Sequence, residues 1–148
     1  VTRVFLDDVD LTSGIIAAGE MLRVHGIEVV IENPKGSVRR GVGPDGESWE
    51  AVLAADYGYV RRVDGGDGEP LDCFVGPNAL SDRVFVVRQV DPETREFDEH
   101  KVLFGYQTIV RAAADYVASY SDDAWRRVSA IYEMSMPEFK RWARDPSF

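Results

Sequence analysis

The sequence predicts an α+β domain, with short strands through its middle and helices at its two ends. Three observations carry that expectation. From Ile27 to Tyr106, short runs of β-branched residues are separated by Gly, Pro, Asn and Asp. Beyond Thr108, apolar residues recur at helical spacing. Ahead of Gly26, an imperfect apolar stripe also fits a helix.

The first element expected is a helix from Ser13 to His25. Ile15, Ile16, Met21, Leu22 and Val24 form its stripe, with Thr12 or Ser13 as cap and Gly26 as stop. His25 would suit the negative end of its dipole. Strands follow at Val29–Ile31, Trp49–Leu53, Val84–Val87 and Lys101–Phe104, with turns at Gly43–Gly46 and Gly76–Asn78. The segment Asp91–Glu96 reads as a hairpin turn between two strands. Many short strands at this spacing fit a small barrel. Ile109, Val110, Ala113, Tyr116, Val117 and Tyr120 then mark one helix face. Ser135-Met136-Pro137-Glu138 has the form of a capping box and opens a last helix carrying Phe139, Trp142 and Ala143. No repeat, linker or low-complexity segment interrupts the chain, so one domain over residues 1–148 is expected.

Composition narrows the function. A hydrophobic content of 45% with 29% charged residues is that of an ordinary globular protein. The net charge of −9 argues against nonspecific binding to nucleic acid or to an anionic membrane surface. Arg39-Arg40, Arg61-Arg62 and Arg126-Arg127 are isolated pairs, and at least the last reads as surface charge. No apolar stretch approaches the roughly 20 residues of a membrane span. Cys73 is the single cysteine, so no internal disulfide forms, and its apolar surroundings predict a buried packing role. The first ten residues carry acids where a signal peptide carries bases, which favours a cytoplasmic location. The start at Val1 is compatible with processing or with excision from a longer polypeptide.

The strongest chemical signal is Gly66-Asp67-Gly68-Glu69-Pro70-Leu71-Asp72, three carboxylates with no base among them. At an effective dielectric near 20, two carboxylates about 5 Å apart repel by about 3 kcal/mol. Such a cluster either splays into water or binds a cation. Carboxylates without thiolates or paired histidines favour Mg²⁺ or Mn²⁺ over zinc. Upstream stand Glu32-Asn33-Pro34-Lys35 and Tyr57-Gly58-Tyr59; downstream stands Asp98-Glu99-His100-Lys101. His100 alternates with Glu99 and Lys101, so on a strand it would face away from them.

This order of motifs resembles the family I soluble inorganic pyrophosphatases from about Val29 to Lys101. Over nearly the whole chain it resembles a pyrophosphatase-like domain carried by tailed phages and mobile elements. The resemblance implies a five-stranded OB-like barrel with flanking helices, a Mg²⁺ (or Mn²⁺) cofactor and pyrophosphate or a related phosphoanhydride as substrate. It also implies a homo-oligomer or a place in a larger phage-encoded polypeptide in the host cytoplasm. Carried over residue by residue, Asp67 and Asp72 are metal ligands and Glu69 helps position or deprotonate the attacking water. Asp91 and either Asp98 or Glu99 complete the metal shell. Lys101 and Tyr120 match phosphate contacts, Lys101 also among the catalytic groups. Arg40 falls where a substrate-binding Lys sits, with Lys35 in the preceding loop as a further substrate candidate. Tyr57 matches a tyrosine near the nucleophile, and Glu32 an acid behind the ligands.

The departures are equally specific. Glu69 stands where the family usually has Asp. Arg40-Gly41-Val42 replaces a Lys-Tyr-Glu, an Arg expected near Trp49–Leu53 has no counterpart, and Tyr120 is followed by Ser121 rather than Lys. Three readings follow: hydrolysis of pyrophosphate, hydrolysis of a larger phosphoanhydride such as a nucleotide using room at Gly41, and a non-catalytic metal-binding or structural module.

Overall fold

The computed structural model describes residues 3–6, 8–12, 17–43, 45–120 and 124–146. Among these the chain is mostly β. Eleven strands run as β1 (Arg3–Leu6), β2 (Val9–Thr12), β3 (Met21–Val24), β4 (Ile27–Asn33), β5 (Val38–Val42), β6 (Ser48–Val52), β7 (Asp56–Asp64), β8 (Pro70–Val75), β9 (Arg83–Val90), β10 (Phe97–Phe104) and β11 (Val128–Ser135). Two helices accompany them, α1 (Ile109–Ala118) and α2 (Met136–Trp142). A mixed seven-stranded sheet has the order β11-β9-β10-β8-β7-β4-β3, and β10 and β8 form its parallel pair. The pairs β1-β2 and β5-β6 are separate hairpins.

The expected helix from Ser13 to His25 is corrected. Ser13–Ile16 lie outside the described residues, and Met21–Val24 form strand β3. Leu22 and Val24 are buried while Met21 and Arg23 are not, an alternation of period two that was read as part of a helical stripe. Gly26 turns a hairpin instead of stopping a helix. His25 and Gly26 have φ of 48° and 83°, and Val24 pairs with Ile27 across them, the two-residue loop whose twist suits adjoining strands. The hairpin expected at Asp91–Glu96 forms between β9 and β10, closed by Asp91 N–H donating to the Glu96 carbonyl at 2.8 Å.

Central strands are buried on both faces, so their sequences run nearly continuously apolar. Along β9, Val84 and Val86 enter one core cluster while Phe85 and Val87 enter the other. In β10, Val102 and Phe104 oppose Leu103 in the same way, and in β8 Cys73 opposes Phe74. Helix α2 closes the first face with Phe139. Its cap is the predicted one: the Ser135 side chain accepts from Glu138 N–H and the Glu138 side chain accepts from Ser135 N–H. Helix α1 closes the second face with part of the expected stripe, Ala113 and Tyr116 being buried and Val117 and Tyr120 packed against that core. Ile109 and Val110 are exposed, and Ala112, Asp115, Tyr116 and Ser119 are buried. Asp115 is tolerated there because the Tyr106 hydroxyl donates to its carboxylate at 2.8 Å.

Candidate active site

The side chains of interest continue the second core face outward. Period two puts Asp72 beside Phe74 on β8, Glu99 and Lys101 beside Leu103 on β10, and Gln89 beside Val87 on β9. Tyr57 enters the same face from β7, packed edge-on against Phe74 with ring centroids 4.9 Å apart. Its neighbour Gly58 lets β7 approach β4: a Cβ there would lie 1.8 Å from the Val30 carbonyl oxygen. Tyr-Gly-Tyr is thus a close strand contact flanked by two rings that turn toward the site.

At the centre Lys101 is buried, with 5% of its side chain exposed. Its ammonium lies 2.9 Å from Asp72 Oδ2, 2.8 Å from Glu99 Oε1 and 3.0 Å from the Tyr57 hydroxyl. An ammonium has three N–H donors, and all three have acceptors. The Tyr57 hydroxyl donates to Asp72 Oδ2 at 2.6 Å. Burial works against the Lys101 charge, but Tyr120, Tyr57, Asp72 and Glu99 together outweigh it and hold its pKa well above the ordinary lysine range. Burial pushes the Glu99 carboxyl up, with Lys101 opposing and Asp72 and Asp67 adding to the rise. Burial likewise raises the Tyr57 phenol and pushes Tyr120 up to about 12.

Two cavities meet at this centre. The first, about 290 Å³, is lined by Tyr57, Lys101, Tyr120, Arg39, Arg127 and Trp49, among others. The second, about 550 Å³, is lined by Glu32, Asp67, Glu69, Asp72 and Glu99 with Tyr59 and Pro70. Asp72 and Glu99 belong to both. One cavity is therefore cationic and phenolic, its neighbour acidic, and they share a wall of two carboxylates.

The sequence candidates divide accordingly. Tyr57, Lys101 and Tyr120 line the first cavity, Glu32, Asp67 and Glu69 the second, and Asp72 and Glu99 both. Asp98 is exposed and accepts from Gln89 Nε2 at 2.9 Å. Asp91 caps its own turn, accepting from the N–H groups of Glu93 and Thr94 at 2.8 and 3.0 Å, bonds that hold its carboxyl below the usual range. Lys35 is exposed, and its backbone N–H donates to Asp56 Oδ1 at 2.7 Å. Arg40 pairs with Glu50 at 3.1 Å on the exposed side of β5. Neither Asp91, Asp98, Lys35 nor Arg40 lines either cavity.

Arg39, Arg127 and Gln89 line the first cavity and escaped the sequence reading. Arg39 lies over the Tyr57 ring, 4.8 Å from its centroid, because strand alternation sends it inward where Arg40 goes outward. The sequence reading singled out Arg40 of this pair and left Arg39 unassigned. Arg127 of the third pair is half-buried at the cavity wall, whereas Arg126 is exposed. Gln89 is the polar break near the end of the apolar run of β9, the one signal that marked it. At Gly41 a Cβ would meet the Trp49 ring at 2.5–2.8 Å, and both residues line a separate surface cavity of about 410 Å³.

The acidic cavity is lined by five carboxylates with no thiolate or imidazole, a donor set that suits a hard divalent cation. Among the described residues, no group of three or more His, Cys, Asp or Glu side chains is gathered at metal-holding distance. Asp67 accepts instead from Glu69 N–H at 3.0 Å, and the Lys101 ammonium is the cation between Asp72 and Glu99.

No helix among the described residues is long and apolar enough to cross a membrane. Neither a curated protein nor a solved structure gives a match. Residues 14–144 match the family described as Inorganic Pyrophosphatase, and the chain belongs to that family.

Proposed function

We propose that the chain hydrolyses inorganic pyrophosphate to phosphate with Mg²⁺, or Mn²⁺, as cofactor. The observation that carries this reading is the shared wall: Asp72 and Glu99 separate a carboxylate-rich cavity from one lined by Arg39, Arg127, Lys101 and two tyrosines. A tetra-anion and the cations that neutralise it need those two environments side by side. Asp67, Asp72 and Glu99 would hold the metal, with Glu32 behind them. When bound, a hard divalent ion supplies a more acidic water and neutralises phosphoryl charge.

The chain's own residues do the rest. Tyr57 donates to Asp72 and fixes that carboxylate. Arg39 and Arg127 bind phosphoryl oxygens, and Arg suits this because its planar fork bonds two oxygens at once. Glu69 accepts a proton from the attacking water as its oxygen bonds to phosphorus and the bridging P–O bond breaks. Lys101 holds Asp72 and Glu99 together and faces the departing phosphate. Arg39 and Arg127 offset the lysines that this chain lacks.

The finer architecture is read as an OB-like barrel. Strands β4, β7, β8, β9 and β10 would be its five, lying in the order β4-β7-β8-β10-β9 with the parallel pair between β8 and β10.

Phosphate release from pyrophosphate with Mg²⁺ tests the reaction, with Asp72→Asn as the control. That variant keeps the shape and loses the charge, and its rate should fall by more than about 100-fold, beyond the usual loss for a residue behind a metal ligand. Release from nucleotides alone would reassign the substrate. No release from either, with Mg²⁺ or Mn²⁺ and a folded sample, would leave a non-catalytic module.

A further inference from the structure

Gln89 stands on the inner face of β9 beside Phe85 and Val87, and only 4% of it is exposed. An amide buried there is costly unless its donors and acceptors are matched. Every one is engaged. Gln89 Oε1 accepts from the Tyr116 hydroxyl at 2.6 Å and from the Tyr120 hydroxyl at 3.3 Å. Gln89 Nε2 donates to Asp98 Oδ2 at 2.9 Å and to Glu99 Oε1 at 3.5 Å. Ionised carboxylates only accept, so the amide orientation follows from its partners.

Backbone irregularity makes this convergence possible. On a regular strand Asp98 and Glu99 would point to opposite faces. The β9-β10 register steps from Phe97↔Val90 to Glu99↔Gln89, leaving Asp98 as the extra residue of a bulge. A second bulge, between Val128 and Ala130, faces Gln89 from β11. Gln89 is thus the meeting point of two bulged strands and the tyrosines at the end of α1.

We infer that Gln89 is a positioning residue for the reaction proposed above, and the inference rests on that reading. It ties the acidic end of β10 to Tyr116 and Tyr120, fixing Glu99 against Lys101 and Tyr120 at the cavity edge. A residue serving packing alone would be apolar at this position, as Phe85 and Val87 are.

A double-mutant cycle tests it. Gln89→Met removes all four hydrogen bonds without changing charge, and Tyr116→Phe removes one from a side chain that lines neither cavity. Mg²⁺ affinity is measured by calorimetry with the metal alone, and kcat and KM by phosphate release. Gln89→Met should lower Mg²⁺ affinity and kcat by about ten- to hundredfold, with KM less affected, as for residues that orient metal ligands. Tyr116→Phe should lose about threefold in the same two quantities, the worth of one hydrogen bond. The double variant should match Gln89→Met, because the tyrosine acts through the amide. Wild-type Mg²⁺ affinity in a folded Gln89→Met, or additive losses in the double variant, would overturn the inference. Should Gln89→Met fail to fold, wild-type affinity in Tyr116→Phe would overturn it alone. A wild type that binds Mg²⁺ but releases no phosphate sinks the hydrolase reading instead, and the affinity cycle still decides Gln89.

Discussion

Lys101 stands in for a cation at the centre of its own site. With its three donors committed to Tyr57, Asp72 and Glu99, it neutralises charge that would otherwise be buried unpaired. Removing one partner of a buried ion pair costs more than the pair itself is worth, about 3–5 kcal/mol. Lys101→Met should therefore lower stability by about 3 kcal/mol in chelator. Mg²⁺ should recover more of that loss than it adds to the wild type, because the two carboxylates then face no internal cation. Denaturant midpoints with chelator and with Mg²⁺ measure both effects, and equal Mg²⁺ gains in the two proteins would refute this account. The same residue sets a pH dependence. A lysine whose folded pKa is raised contributes fully below its unfolded value and loses that contribution as pH climbs through the folded one. Tyr57, Tyr116 and Tyr120 act in the same direction, since burial raises their pKa values and the folded state keeps their protons longer. Stability should be flat near neutrality from these groups and fall steeply above about pH 10. The tyrosinate absorbance of these three residues should rise together with unfolding, not before it.

Gly58 shows how one element depends on the absence of a side chain. It sits where β4 changes register between Ile31 and Asn33, and the Val30 carbonyl occupies the place its Cβ would take. That neighbour is backbone and cannot rotate away. Gly58→Ala should force β4 and β7 apart and cost at least about 2 kcal/mol, the scale of an overpacked core. Thermal unfolding reads the loss, and an unchanged melting temperature would contradict the close approach. Gly58 is also a fair measure of what the sequence discloses. The motif Tyr57-Gly58-Tyr59 was visible, as were the β9-β10 hairpin and the capped helix α2, because each has a local cause in turn or cap chemistry. Asp72, Lys101 and Tyr57 were legible as a group because each belongs to one of the short motifs whose order carries the family resemblance. Strand β3 was missed since Leu22 and Val24 satisfy a helical stripe and a two-residue alternation alike. The inward turn of Arg39 was hidden because β5 has no apolar signature, Val38 and Val42 being exposed. Asp98 and Glu99 could not be separated in advance, because the bulge that sends both toward Gln89 is a property of pairing with β9. Register and bulges depend on the partner strand, so they lie beyond any single stretch of sequence.

At the scale of the whole molecule, the net charge of −9 has a local concentration, five carboxylates around one cavity of about 550 Å³. A diffuse negative charge would respond to any salt through screening, with little distinction between ions. A concentrated one should prefer a divalent ion strongly, because one site then neutralises several carboxylates at once. A ligand that binds only the native state stabilises it by about 2.7 kcal/mol at 100 times its Kd. For a chain of this size each kcal/mol moves the melting temperature by about 2–4 °C, so Mg²⁺ should raise it by about 5–10 °C. NaCl at equal ionic strength should reproduce little of that gain. Asp72→Asn should lose most of it, since Asp72 lines both cavities and receives the Tyr57 and Lys101 hydrogen bonds that fix its position. An equal rise from NaCl, or a full Mg²⁺ response in Asp72→Asn, would mean that the acids act as a solvated face. The hydrolase reading would then lose its physical ground, because the charge of pyrophosphate would have no divalent counterpart beside it.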